Sequence, residues 1–216
     1  MDTARPSHYH VISVSIIIPA HNEASVIARL LDSVVACIDD YGFQIVVVCN
    51  ACTDNTAEIV SGYSTVELIE TQIASKSDAL NLGDSKADGE IRIYMDADIV
   101  MSAEDVRMLV EAFRGSKVGV AVPRIKMNFS RSSWYVKAYY DIWLSLPYVK
   151  EGIMGGGVYA LSREGRGRFD TFPDVIADDG FVMGLFSAAE TRCVHEAVSR
   201  VTPPRTLSGL IKIKTR

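Results

Sequence analysis

The spacing of apolar residues changes repeatedly along the first hundred positions. Residues 14–18 (VSIII) form a continuous apolar run, as in a strand buried on both faces, and Pro19 ends it. Residues 23–38 then place Val26, Ile27, Leu30, Leu31, Val34, Val35 and Ile38 at helical spacing, which predicts one amphipathic helix. A second strand follows at 43–48 (FQIVVV), and residues 53–63 predict a short helix with Thr53 or Asp54 as its N-cap. A third strand is expected at 65–70. A helix over 75–87 is expected to break near Gly83. In a fourth strand, at 90–95, Ile91, Ile93 and Met95 alternate with Arg92 and Tyr94. Strand and helix in alternation predict an α/β protein with a Rossmann-like, mostly parallel central sheet flanked by helices.

The second half changes character. Residues 102–113 predict a helix capped by Ser102, and 118–123 (VGVAVP) another strand. Residues 128–148 are rich in aromatics, and a last strand is expected around 191–201. There is no internal repeat and no low-complexity linker. The shift near residue 123 predicts one domain over 1–216, with residues 1–123 and 124–216 each serving one ligand. Ligands of such sheets bind beyond the carboxyl ends of the strands. Three polar segments fall there: PAHNE (19–23), CNACTD (49–54) and DAD (96–98).

Charge and cysteine content narrow the function. The net charge of -5 argues against nucleic acid as the partner. No apolar run is long enough to span a bilayer, and the N-terminal residues lack a signal-peptide pattern, so the cytoplasm is the expected location. Cys49 and Cys52 have the spacing of a redox dithiol or half a zinc site. The motif does not open a helix, however, and the other cysteines, Cys37 and Cys193, show no paired spacing. The expectation is that Cys49 ends the strand and Cys52 packs behind the loop, while Asn50 and Asp54 offer polar groups to a ligand.

Asp96 and Asp98 flank one alanine after a buried-type strand, which puts both on one side. Two adjacent carboxylates need a cation, and a divalent metal carrying a diphosphate supplies one. Alone, the pair suits a solvated turn better, and its place at the end of a central strand, facing two other polar loops, is what favours the metal. Asp178 and Asp179 suit a helix N-cap, with Asp178 as the capping residue. Gly155, Gly156 and Gly157 suggest either a flexible turn or backbone that a ligand approaches closely.

Six segments, IIIPAHNEASVIARLLDSV, VVVCNACTDNTAEIV, SKSDALNLG, IYMDADIV, MGGGVYALS and VIADDGFV, together resemble the inverting family 2 nucleotide-sugar glycosyltransferases, which have the GT-A fold. The resemblance implies a donor pocket lined by Pro19, His21, Asn22 and Glu23, with Asn50, Asp54, Lys76 and Asp96 on the nucleotide sugar. It implies Asp96 and Asp98 as ligands of a divalent metal, Mn²⁺ or Mg²⁺, and Asp179 as the catalytic base. Gly155, Gly156, Gly157 and Asp178 then fall on the acceptor side. Residues 49–54 depart from the family's usual acidic loop, which leaves the base open, although a UDP-sugar is expected. His195 is expected to be a half-buried strand histidine rather than the late metal ligand some GT-A enzymes use. The processive synthases' Gln/Arg-x-x-Arg-Trp motif does not occur in the sequence, so transfer of a single sugar is expected. The acceptor is left among saccharide, lipid-linked and small-molecule classes, with peripheral membrane contact also open. The rival readings are a sugar-phosphate nucleotidyltransferase and a non-catalytic nucleotide-binding module.

Overall fold

The computed structural model describes residues 13–150, 156–175 and 177–214, apart from the side chains of 39–41, 148 and 214. Gly155 lies outside the described residues. The strands are β1 (Val14–Ala20), β2 (Gln44–Asn50), β3 (Glu67–Thr71), β4 (Ile91–Met95), β5 (Val120–Met127), β6 (Val158–Leu161) and β7 (Thr191–Val201). They form one sheet in the order β3-β2-β1-β4-β6-β5-β7. Every pairing is parallel except those of β6, which runs antiparallel to both β4 and β5.

The helices are α1 (Ile27–Val34), α2 (Ala36–Tyr41), α3 (Thr56–Ser61), α4 (Lys76–Asp84), α5 (Ala103–Glu111), α6 (Trp134–Ser145), α7 (Pro147–Lys150), α8 (Arg163–Arg166), α9 (Asp178–Met183) and α10 (Leu207–Lys214). None of the described helices is long and apolar enough to cross a membrane. The expected helix over 23–38 is divided at Val35, where the Ile38 amide bonds back three residues to the Val35 carbonyl and tightens the turn. Ser102 caps α5 in a reciprocal capping box with Asp105, as its sequence predicts.

Both faces of the sheet are covered, so alternation along a strand separates two cores rather than core from solvent. Ile16, Ile18, Ile45, Val47 and Ile93 pack against Ile27, Leu30 and Leu31 of α1 and Leu109 of α5. On the opposite face Ile17, Tyr94 and Tyr159 pack with Leu80 of α4 and with Phe172. Each such side chain contributes about 1.5–3 kcal/mol on leaving water. Tyr94, read from sequence as the polar-face partner of Arg92, is thus a second-core residue at 1 % exposure.

The break expected at Gly83 does not occur, since α4 runs through it. A Cβ there would stand 2.6 Å from the Ile17 side chain, so glycine lets the helix lie close on β1. The expected cap of α3 also shifts. Asn55 is the N-cap and makes no side-chain cap bond, while Asp54 Oδ1 accepts from the Thr56 amide and hydroxyl.

Asp84, at the end of α4, is the buried electrostatic knot of the second core. Its carboxylate accepts the Tyr94 hydroxyl and pairs with Arg92 at 2.6 Å and Arg166 at 2.7 Å. Burial alone would raise this carboxyl, but the Arg166, Tyr94 and Arg92 contacts hold it below the ordinary value. A depressed carboxyl stabilises the fold above its unfolded value, about pH 4, and that contribution is lost as pH falls through the folded value. Asp84→Ala should therefore cost about 3–5 kcal/mol in denaturant unfolding at neutral pH, because two guanidinium groups lose their buried partner. The deficit relative to the unsubstituted chain should shrink on acidification. An equal deficit at pH 3 and pH 7 would show that the carboxylate charge is not the cause.

Candidate active site

A cleft of 310 Å³ opens at the carboxyl ends of β1 and β4 and is walled by α4, by Gly157 and Tyr159 at the start of β6, and by the start of α9. Lys76, the first residue of α4, reaches into it. Its ammonium lies 2.7 Å from Asp96 Oδ1 and 2.7 Å from Asp178 Oδ1. Burial works to lower the Lys76 pKa, but the two carboxylates outweigh it and hold the ammonium charged well above its ordinary value. The α4 N-terminus itself is capped by Ser75, whose hydroxyl accepts from the Asp78 amide.

The two carboxylates differ. Asp178 is nearly buried and receives a second bond from the Tyr159 hydroxyl at 2.9 Å. Asp96 keeps 38 % of its side-chain surface accessible, yet that surface faces the cleft and protein encloses the rest. Burial pushes its carboxyl up to about 6. Lys76 opposes that rise, while the charges of Asp178 and Asp98 add to it. Three carboxylates thus gather around one lysine at the strand end. Asp98 is further out and exposed, and its carbonyl accepts from Arg29 at 3.3 Å. Desolvation against the strand end still raises its carboxyl.

Gly157 is set by the same constraint. Its φ is +62°, and a Cβ would stand 3.0 Å from Asp96 Oδ2 and 3.0 Å from Ile99 Cδ1. The Asp96 amide donates to the Gly157 carbonyl at 2.8 Å. The close approach that requires glycine here is thus to Asp96. Gly156 instead lies against Ile125.

The acidic pair opens α9, but the capping role expected of Asp178 falls away. Ala177 is the N-cap, without a side-chain bond, and Asp178 is the first helical residue with its carboxylate turned to Lys76 and Tyr159. Asp179 follows on the cleft wall, half-buried, its Oδ1 accepting from the Gly180 amide at 2.8 Å. The segment leading to α9 is clamped by Asn81 of α4, whose carboxamide donates to the Phe172 carbonyl and accepts from the Phe172 amide. One helix thus fixes both the cleft lysine and the approach to the acidic pair.

The loops after β1 and β2 are stitched together. Asn22, at φ 57°, accepts through Oδ1 from the amides of Thr53 and Asp54. Asp54 Oδ2 accepts from the Ala24 amide, and His21 Nδ1 donates to the Asn50 carbonyl at 2.6 Å. The Glu23 amide donates to Thr56. Asn22 and Asp54 therefore spend acceptors on holding the loops, while buried Asn50 closes β2 beside them. Both cysteines fall as expected. Cys49 is buried at the strand end, and burial, reinforced by Cys52, pushes its thiol up to about 12. Cys52 donates to the Ala20 carbonyl behind the loop.

Of the residues singled out from sequence, Pro19, Lys76, Asp96, Gly157, Asp178 and Asp179 line one cleft. His21, Asn22, Glu23, Asn50 and Asp54 form the adjoining loop pair, and Asp98 and Gly156 lie outside the cleft wall. His195 is exposed, not half-buried. It sits where the β5–β7 register skips from Val194 to Val198, and its carbonyl accepts from Arg124. Sequence reasoning missed Tyr94, Tyr159, Leu80 and Ile213 as cleft residues. Tyr159 carried a usable signal, its place two residues beyond the glycine run at the start of a strand. Among the described residues no group of three or more His, Cys, Asp or Glu stands together as a metal cage.

A mostly parallel sheet with an antiparallel strand beside β4, acidic residues at the β4 end and a cleft there define a GT-A-type nucleotide-sugar fold. A match to the Glycosyl transferase family 2 model over residues 15–191 goes further: the chain belongs to that family. It is 28% identical over 187 residues to a beta-monoglucosyldiacylglycerol synthase of Nostoc sp., covering 77% of this chain and 38% of that one. It is 24% identical over 231 residues to a poly-beta-1,6-N-acetyl-D-glucosamine synthase of Staphylococcus epidermidis, covering 98% and 55%. Among solved structures, a Pyrobaculum calidifontis mannosyltransferase in complex with GDP-Man and Mn²⁺ superposes with a TM-score of 0.70 at 24% identity, over 89% of this chain and 57% of that one. Glucosyl-3-phosphoglycerate synthase from Mycobacterium tuberculosis, with Mn²⁺, UDP and phosphoglyceric acid, gives 0.69 at 19% identity, over 94% and 75%. The chain spans between 33% and 55% of the length of the curated relatives it matches.

Gly157→Ala should cost about 1–2 kcal/mol from the left-handed backbone alone. It should also displace the Asp96 carboxylate, which Gly156→Ala would not. Denaturant unfolding and the titration of Asp96 by NMR check this. An unmoved Asp96 resonance in Gly157→Ala would refute the packing argument.

Proposed function

We propose that the chain is the catalytic domain of an inverting glycosyltransferase that moves a single sugar from a nucleotide diphosphate sugar, UDP-linked, to an acceptor hydroxyl. The observation that carries this is the Lys76–Asp96–Asp178 cluster in a cleft whose wall also holds Asp179. Family membership supports it over a nucleotidyltransferase or a non-catalytic binding module. Residues 1–123 would hold the donor and residues 124–216 the acceptor, in one domain. The loop pair of Pro19, His21, Asn22 and Glu23 with Asn50 and Asp54 would enclose the nucleotide, Asp54 and Asn22 chiefly by fixing the loop shape.

Asp96 and Asp98 suit a hard divalent cation, Mn²⁺ or Mg²⁺. The donor atoms are carboxylate oxygens, and a cation would favour the ionised form of Asp96, which burial, with the charges of Asp178 and Asp98 adding to it, pushes up to about 6. Two protein carboxylates, with no third such ligand grouped beside them among the described residues, suit an ion that would keep waters and take its remaining oxygens from a diphosphate. When bound, the ion would supply positive charge against the departing diphosphate. The remaining steps belong to the chain's own residues. Asp179 takes the proton from the acceptor hydroxyl as that oxygen attacks the anomeric carbon. The bond from that carbon to the diphosphate breaks, its electron pair leaving with the nucleotide, and attack from the opposite face inverts the centre. Lys76 and Tyr159 hold Asp178, and through it the first turn of α9, so that Asp179 would face the acceptor side, to which Gly156 and Gly157 are also assigned.

Two measurements test this. Calorimetry should show UDP binding that needs Mn²⁺ and weakens in Asp98→Ala; equal affinity after chelation removes the metal from the mechanism. Asp179→Asn should lower kcat about 10²–10⁴-fold with donor affinity nearly unchanged, because a base acts on the acceptor in the transition state. Asp178→Asn should weaken donor binding as well, since it loosens Lys76 and Asp96. Unchanged turnover in Asp179→Asn with a confirmed acceptor would sink the assignment of the base.

A further inference from the structure

Seven of the nine large hydrophobic side chains that are exposed among the described residues lie on two helices, α6 and α10. Tyr135, Tyr139 and Ile142 are spaced i, i+4, i+7 along α6, which aligns them on one outward stripe, and Trp134 stacks on Tyr135 at 3.7 Å. Leu207, Ile211 and Ile213 are the exposed apolar residues of α10. The two helices are joined from beneath, where Leu210 packs with Val136 and Tyr140. The Ser133 amide also donates to the Arg205 carbonyl. A solvated surface does not collect tryptophan, tyrosine and isoleucine in this way, and such patches mark contact sites.

Charge identifies what the patch meets. Residues 124–150 carry five basic residues against one acid, and residues 202–216 carry four against none, in a chain whose net charge is -5. Lys137 and Lys212 project from the same two helices, and Arg131 and Arg205 lie exposed at their approaches. Met127, packed under this pair of helices, also lines a recess of 350 Å³ whose walls include Arg29, Lys126 and Arg200. Arg200 is paired with Asp105 at 2.6 Å and Arg29 donates to the Asp98 carbonyl at 3.3 Å, while neither Arg29 nor Lys126 forms an ion pair among the described residues. An aromatic and aliphatic stripe bordered by cations is the chemistry of an interfacial helix on anionic lipid.

We infer that α6 and α10 form a docking face for an anionic bilayer surface, with the basic recess beside it facing the lipid phosphates. Ile213 of α10 also lines the catalytic cleft, so the docked face brings the cleft mouth to the headgroup layer. Resting on the glycosyltransferase reading, the acceptor class is then a hydroxyl carried by a membrane-bound amphiphile.

Co-sedimentation with vesicles tests this without turnover. The protein should bind vesicles of phosphatidylcholine in which a third of the lipid is phosphatidylglycerol, about tenfold or more above pure phosphatidylcholine, and salt should release it. Trp134→Gln with Ile142→Gln should reduce binding about tenfold or more. Lys137→Glu with Lys212→Glu should abolish the preference for the anionic lipid. Circular dichroism and Mn²⁺-dependent UDP binding should stay unchanged in both variants. Failure to bind either vesicle, binding indifferent to the substitutions, or a protein dimer that the Trp134 and Ile142 changes dissolve would each overturn the docking face. If UDP does not bind at all, the transferase reading falls while the vesicle result stands.

Discussion

One ammonium group stands between two carboxylates from different halves of the chain, and the cleft depends on it. Lys76 opens α4, where the helix dipole disfavours a cation, so its position runs against a local rule. Asp96 and Asp178 reverse that preference, because two carboxylates this close to each other cannot both stay ionised in a partly buried site without a positive partner. The lysine thereby couples the end of β4 to the beginning of α9. Departures from local propensity that the tertiary structure compensates are where function concentrates. The same logic covers Gly157, whose backbone takes the left-handed region so that β6 can lie against the Asp96 carboxylate.

The parallel half of the sheet was legible because each strand and helix there states its period in apolar residues. The continuous runs at 14–18 and 43–48 announce burial on both faces, and β1 and β2 are buried on both. What misled was alternation in a sheet with two cores. Tyr94 alternates with apolar residues and shares its side of the strand with Arg92 and Asp96, yet its ring is stacked on Tyr159 at 5.0 Å and its hydroxyl is absorbed by Asp84. Gly83 misled for a related reason: its cause is Ile17, sixty-odd positions earlier, and nothing in the local window records it.

The cleft was legible as a set of motifs but not as a geometry. Lys76, Asp96, Asp178 and Asp179 could be chosen by resemblance, whereas the ion pairs among them needed the fold. The roles of Asn22 and Asp54 illustrate the difference. Both read as ligand groups, and both hold backbone amides across two loops, one of which needs positive φ at Asn22 and the other at Ala51. A short polar side chain at such a position can serve shape first, with a ligand reading the shape. His195 erred for a topological reason, since a register skip of β7 against β5 turns it out to solvent.

The position of β6 has a consequence for the nascent chain. β4 pairs on one side with β1, already made, but its other neighbour, β6, begins at Val158 while β4 ends at Met95. As the polypeptide emerges, the parallel half can assemble while one edge of β4 still exposes an unpaired row of amides and carbonyls. That edge belongs to an apolar central strand and carries none of the proline or bulge devices that blunt permanent edges. Until β6 closes it, the half-made sheet is a template for pairing with another chain, so the protein's solubility during synthesis turns on how fast the second half arrives.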